Sequence, residues 1–164
     1  MKRRIIIALA MALILVAVLP LSALAEEETV TASVTVGEYI SITTSGSIAF
    51  GSLSPGASES GATGQGDGIP AITIAVAPET NVNVDIGIKG AIATGSLALS
   101  NWKYSTSFVG TKTSIPSAYG TAAYSNVGVG SYFFYHWVTV PLGTATGSHT
   151  ITVNYKAVRT GTGF

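Results

Sequence analysis

The sequence predicts an all-β protein, an antiparallel two-sheet sandwich preceded by a cleaved signal peptide. Three observations support this prediction: a basic and then apolar N-terminus, several stretches in which apolar and polar residues alternate, and turn residues between those stretches. The 164 residues suffice for one domain and its targeting segment. A single sheet closed on itself is the alternative arrangement.

The first 25 residues have the three parts of a signal peptide. Residues 2–4 are basic, residues 5–19 are all apolar, and Ala23 and Ala25 supply the small residues of a cleavage site before Glu26. A retained membrane anchor is the competing interpretation, but a spanning helix needs about 20 apolar residues. We therefore expect residues 1–25 to be removed and the protein to be extracellular or at the cell surface, with no membrane contact after cleavage.

Charge and cysteine content exclude several classes of function. Removal of the signal leaves five basic and eight acidic residues, a net charge of −3, which argues against nucleic acid as a partner. Charged residues make up only 10% of the chain, so the surface suits contact with copies of itself or a coat of glycans. The absence of cysteine excludes disulfides, thiol catalysis and cysteine-held metal centres.

The exported part begins with an alternating segment, residues 26–36, in which Val30, Ala32, Val34 and Val36 share one face. The domain proper, residues 37–164, continues the same period. Further alternating runs, each predicted to be a half-buried strand, occupy residues 40–42, 72–77, 81–89 and 149–158.

Turn signals separate these runs, and no window has a helical period. Residues 57–68 are rich in glycine and serine and are predicted to be a loop. Residues 106–126 mix glycine, serine and proline with aromatic residues, and the pattern there assigns no strand. In total, seven to nine short strands are expected, as in a two-sheet sandwich.

Residues that could carry catalysis or bind metal are few and scattered. His136 and His149 are 13 positions apart, outside any HExxH motif, and Asp67 stands alone in a Gly-Asp-Gly turn. The sequence also lacks a GxSxG nucleophile elbow, and no pattern in it supports a carboxylate pair for glycoside hydrolysis. We predict no catalytic, cofactor or metal site, and we expect that the protein is not an enzyme.

The aromatic run at residues 132–137 is apolar on both faces of a strand. One face belongs to the core, and the other must be covered by a loop, a neighbouring subunit or a sugar ring. Trp102, Tyr104, Tyr135 and Trp137 are therefore candidate contact residues. They support the alternative function, a polysaccharide-binding module at the cell surface, with surface glycans as partners.

The alternating N-terminal segment suggests a different role. A strand at the start of a chain can leave its own sheet and complete the sheet of another molecule through main-chain hydrogen bonds. Val30, Ala32, Val34 and Val36 would then be the inserted side chains. The alternative is an ordinary first strand of the same domain.

Three stretches resemble motifs of secreted archaeal and Gram-positive surface proteins: residues 47–56 (SIAFGSLSPG), residues 79–85 (ETNVNVD) and residues 140–150 (VPLGTATGSHT). Together the layout is similar to that of TasA/camelysin-like and archaeal bundling-pilin subunits, over most of residues 29–158. This resemblance implies a jelly-roll-like sandwich and polymerisation by donation of an N-terminal strand, here residues 29–36.

Taken with the residues, the resemblance leads us to expect a secreted structural protein. It would be the subunit of an extracellular filament, pilus or biofilm matrix, with itself as partner in a homopolymer. A glycan-binding surface module is the second expectation.

Overall fold

The computed structural model describes residues 31–164, and the chain divides at the Thr35–Val36 boundary into two units. Residues 31–35 of the first unit belong to no strand. The signal peptide expected at residues 1–25 and the first inserted residue, Val30, lie outside the described residues.

The second unit is all-β. Its strands are β1 (Ile42–Gly46), β2 (Ser60–Gly61), β3 (Ile72–Val76), β4 (Val84–Thr94), β5 (Trp102–Ser105), β6 (Thr113–Ser114), β7 (Tyr124–Val127), β8 (Gly130–Val138) and β9 (Thr150–Arg159). A single 3₁₀ turn, Leu99–Asn101, is the only helical element in this described part. No helix within residues 31–164 has the length and apolar character needed to cross a membrane.

The strands form two antiparallel sheets. The larger sheet has the order β1-β3-β8-β5-β6, and β2 pairs with β8 beside this path. The smaller sheet has the order β7-β4-β9, with a long β4–β9 ladder from Val84 opposite Arg159 to Thr94 opposite Thr150. The strand order therefore contradicts the alternative of one sheet closed on itself.

Strand β8 is the centre of the larger sheet because it pairs with three different strands. Its first half pairs with β3, from Gly130 to Phe134, and its second half pairs with β5 on the opposite side. The gap between β3 and β2 is filled by Gln65, whose side-chain amide accepts from His136 N at 2.8 Å and donates to His136 O at 2.8 Å. A side chain thus replaces a peptide group in the ladder.

The core lies between the inner faces of the two sheets. It contains apolar side chains of β3 and β8 from one sheet and of β4 from the other: Ile72, Ile74, Val76, Phe134, Val138, Val84, Ile86 and Ile88. Phe134, Ile74, Ile86 and Val84 have no exposed surface. Burial of such side chains contributes about 1.5–3 kcal/mol each to folding.

Several predictions from the sequence pattern are confirmed. Strands occupy residues 72–76, 130–138 and 150–159, as the alternation and the aromatic run indicated. The run predicted at 81–89 overlaps β4, which begins at Val84 and continues to Thr94, and the run predicted at 40–42 overlaps β1 only at Ile42. The prediction that residues 57–68 are only a loop is wrong, since they contain the short strand β2. Residues 106–126, which the pattern left unassigned, contain β6 and the start of β7.

Candidate strand-acceptor groove

A large concavity opens between the two sheets, along the edge strand β9. It has a volume of about 910 Å³. One wall is residues 48–55, which follow β1, and the other is residues 144–155, the turn before β9 and the first half of that strand. We call this feature the β9 groove.

The β9 groove is apolar because of the residues that form it. Ile72, Leu97, Trp102 and Val138 form its floor and belong to the core. On the first wall, Ile48, Phe50 and Leu53 are half-buried, and the Phe50 ring packs edge-on against Trp102 with centroids 5.6 Å apart. The motif at residues 47–56, singled out in the sequence, thus supplies one wall.

Burial is asymmetric between the two long strands of the smaller sheet. The inward residues in the first half of β4 are fully buried: Val84, Ile86 and Ile88 are at most 1% exposed. On β9, Tyr155, Val153 and Ile151 face the same interior, opposite Ile88, Gly90 and Ile92, and all three are only half-buried. Ile92, opposite Ile151, is 49% exposed. The sheet interior is therefore uncovered along β9, where it faces the groove.

The main chain of β9 is also unpaired on one side. Within residues 31–164, β9 pairs only with β4 and stands at the edge of its sheet. An exposed edge beside an uncovered apolar surface is a template for an additional strand. The groove offers both features at the same place.

His149 fixes the end of the groove where β9 begins. Its Nδ1 accepts from Ser96 N at 3.1 Å and from Leu97 N at 3.3 Å, and its Nε2 donates to Ala145 O at 2.9 Å. These partners place the ring proton on Nε2. Gly95, at φ +84°, lies against this ring, where a Cβ atom would collide with Nδ1. The ring therefore ties the turn before β9 to the segment after β4.

At the other end, Tyr155 connects the groove to the core. Its hydroxyl lies 2.8 Å from His136 Nε2, and His136 is only 1% exposed. The second ring nitrogen, Nδ1, has no hydrogen-bond partner in the described part of the chain. Burial lowers the pKa of His136 from 6.5 to about 4 and raises that of Tyr155, because a buried site disfavours the charged form.

The four candidate contact aromatics do not form an exposed platform. Trp102, Tyr135 and Trp137 are at most 7% exposed, and Tyr104 is half-buried. On the outer face of β8, the ring of Phe108 covers Tyr135 and Trp137, with centroid distances of 5.7 and 6.1 Å. A loop of the same domain therefore covers the second face of the aromatic strand.

An ion-pair cluster closes the same outer face. The Glu59 carboxylate contacts Lys103 Nζ at 2.9 Å and Lys112 Nζ at 2.7 Å, and Lys112 also lies over the Trp137 ring. The two lysines lower the pKa of Glu59 to about 2. These groups hold the loop that carries Phe108 in place.

Other residues considered for chemistry lie apart from the groove. Asp67 sits in the turn of a two-residue hairpin, where Gly66 and Ile69 exchange backbone hydrogen bonds. In the part of the chain that the structure describes, no three His, Asp or Glu side chains are grouped to hold a metal ion.

Of the four residues predicted for self-assembly, the structure describes three. Val34 and Val36 are 88% and 77% exposed, and Ala32 is exposed as well. They alternate in sequence but form no strand in the single chain. These apolar side chains are thus not buried in one isolated molecule.

Comparison with known proteins gives no relatives for this chain. No family model matches it, and neither does any curated protein or solved structure.

Proposed function

We propose that this protein is the secreted subunit of an extracellular filament, pilus or matrix that assembles by strand donation. Residues 29–36 of one copy would enter the β9 groove of the next. The observation that carries this proposal is the uncovered apolar interior beside the unpaired edge of β9, in a chain whose alternating segment leaves Val34 exposed.

The chemistry of donor and acceptor is complementary. The donor offers small apolar side chains on every second residue, and the groove offers half-buried apolar side chains on every second residue of β9. An added strand would pair its backbone with β9 and cover Ile151, Val153 and Tyr155. Main-chain hydrogen bonds would provide affinity, and the alternate side chains would provide register.

Strand donation would also account for the fold and the location of the protein. The two sheets would form a jelly-roll-like sandwich that the donated strand completes. Residues 1–25 would direct export and be removed, so that the donor is near the new N-terminus. Because the domain has no cysteine, the inserted strand would supply stability that other exported domains obtain from disulfides.

Glycan binding is the weaker proposal. Of the aromatic residues on which it rested, Trp102 is buried beside Phe50, and Tyr135 and Trp137 are buried beside Phe108. Only Tyr104 is half-buried, and a sugar ring needs an exposed aromatic face. We also propose that the protein has no enzymatic activity.

The first experiment compares two single substitutions in the donor. Val34→Asp places a charge on the inserted face, where an unpaired buried charge costs several kcal/mol, and it should abolish filaments in negative-stain electron microscopy. Ser33→Asp introduces the same charge on the opposite face and should leave filaments intact. Deletion of residues 26–36 should give a folded, dispersed domain.

The proposal fails if the chain lacking residues 26–36 forms the same filaments as the intact chain. It also fails if the intact exported chain stays monomeric at high concentration.

A further inference from the structure

Two lysines on the outer face of the smaller sheet have no acidic partner among residues 31–164. Within residues 31–164, the ion pairs of the other basic residues join Lys103 and Lys112 to Glu59, and Arg159 to Glu38. Lys89 on β4 and Lys156 on β9 instead lie near the ring of Tyr119, at 4.9 and 5.8 Å from its centroid. Tyr119 stacks on Phe164. We call these four residues the lysine patch.

The lysine patch lies next to the edge at which a donated strand would pair. Lys89 is opposite Asn154, and Lys156 is opposite Gly87, so both lysines share the outer face of the sheet. Lys156 is on the edge strand itself and is exposed. A strand added to β9 would therefore bring its outward side chains beside Lys156.

The donor carries the opposite charge at one end. Glu26, Glu27 and Glu28 lie immediately before the donated residues 29–36. Near the start of β9 the groove wall consists of residues 144–149, which contain no lysine or arginine. Near its end are Lys156 and Arg159. Only an antiparallel donor places the three glutamates at the basic end.

The groove also restricts the register. Residues directly opposite in paired strands share a face, so inward donor residues must lie opposite inward residues of β9. The inward residues that line the groove are Ile151, Val153 and Tyr155 of β9 and His149 immediately before the strand, whereas Ala157 lies outside the groove. Four lining positions match four apolar donor positions over the same length of about 20 Å.

We propose that the donated strand runs antiparallel to β9 of the next copy, with Glu27 bound at the lysine patch. The register is Val30 opposite Tyr155, Ala32 opposite Val153, Val34 opposite Ile151 and Val36 opposite His149. Glu27 then lies diagonally across from Lys156, a separation of about 7–8 Å between the backbones that long side chains span. This inference rests on the proposed strand donation.

Engineered disulfides test orientation and register, because the chain has no cysteine of its own. The register places outward Thr31 opposite Asn154 and Thr35 opposite Thr150. Thr31→Cys with Asn154→Cys, and Thr35→Cys with Thr150→Cys, should each give covalent ladders when exported full-length protein is polymerised, oxidised and run without reductant. A disulfide needs Cα atoms about 4.4–6.8 Å apart, so a shifted pair should not react.

The matched controls exchange the partners. Thr31→Cys with Thr150→Cys, and Thr35→Cys with Asn154→Cys, join residues that meet only in a parallel strand. Covalent ladders from these controls would overturn the antiparallel orientation but not strand donation itself. Filaments in which none of the four cysteine pairs reacts would have the same meaning. A disulfide formed within single chains would overturn strand exchange between copies. If the chain without substitutions forms no polymer, both proposals are overturned.

Charge reversal tests the lysine patch separately. Glu27→Lys and Lys156→Glu should each slow polymerisation several-fold at low salt, and the double variant should recover because the attraction is restored. Glu79→Lys makes the same charge change at an exposed residue away from the patch and should have a smaller effect. Equal slowing by Glu27→Lys and Glu79→Lys, or no recovery in the double variant, would overturn the role of the patch.

Discussion

The buried pair of His136 and Tyr155 makes stability depend on pH. Protonation of His136 would add a second N–H donor at Nδ1, which has no acceptor in the described part of the chain, and would place a charge in the core. The folded-state pKa of about 4 lies below the unfolded value of about 6.5. The neutral ring therefore contributes stability that is fully present above pH 6.5 and is lost as the pH falls towards 4.

We expect the free energy of unfolding to fall by about 2 kcal/mol between pH 7.5 and pH 5 because of this residue. Denaturant titrations at the two pH values measure the loss. The pKa values of Glu59 and Asp85 are lowered from 4.5 and 3.8. The stability that these two carboxylates contribute is therefore lost only at a pH below those ordinary values. His136→Gln should be less stable at pH 7.5, and its free energy of unfolding should change little between pH 7.5 and pH 5. An unchanged loss of stability between these pH values would show that another group titrates.

At the scale of the strand, β8 depends on side chains for part of its pairing. Gln65 exchanges two hydrogen bonds with the backbone of His136 between β3 and β2. On the other edge, the Tyr124 hydroxyl donates to Phe133 O at 2.7 Å and accepts from Phe133 N at 3.0 Å. The central strand is thus completed on both edges by groups that no periodic pattern reveals.

Gln65→Ala should lower the free energy of unfolding by about 2 kcal/mol. It removes two hydrogen bonds worth about 1 kcal/mol each and leaves His136 N without its partner, whereas His136 O still accepts from Ala62 N. Chemical denaturation of this variant beside Thr63→Ala, an exposed neighbour, measures the effect. Equal stability of the two variants would mean that water replaces the amide without loss.

The same sheets show how far sequence reasoning extends. Alternation located β3, β4 and β9 because one face of each packs towards the core, which imposes a period of two. It missed β2 and β6, which have two residues each and are too short to show a period. The sequence also did not show what packs on Tyr135 and Trp137, because the residue that covers them, Phe108, is distant in sequence.

For the candidate site, the sequence pattern suggested the proposed donor segment but not the groove proposed to accept it. Val34 and Val36 are neighbours within one segment, so local pattern suffices to find them. The β9 groove combines residues 48–55 with residues 144–155, which are about ninety positions apart, and only the packing of the two sheets brings them together. The motif at residues 47–56 was visible, but its role as a groove wall depends on that long-range contact.

At the scale of the whole molecule, the proposed assembly places the donor segment of one chain in the β9 groove of another. The domain at residues 36–164 is a compact unit, yet its interior is uncovered along β9. A separate donor peptide should therefore bind the domain and stabilise it, since a ligand that binds only the folded state raises its stability by mass action.

We expect a synthetic peptide of residues 26–36 to raise the melting temperature of the chain that lacks those residues. At a peptide concentration one hundred times Kd, the gain in the free energy of unfolding is about 2.7 kcal/mol, or several degrees for a domain of this size. The same peptide should stop filament growth of the intact chain by occupying open grooves. A Val34→Asp peptide is the control, and it should do neither because its charge would enter the apolar groove unpaired. Equal shifts from both peptides would show that binding does not use the alternating face, and no shift from either would show that the groove does not accept this segment.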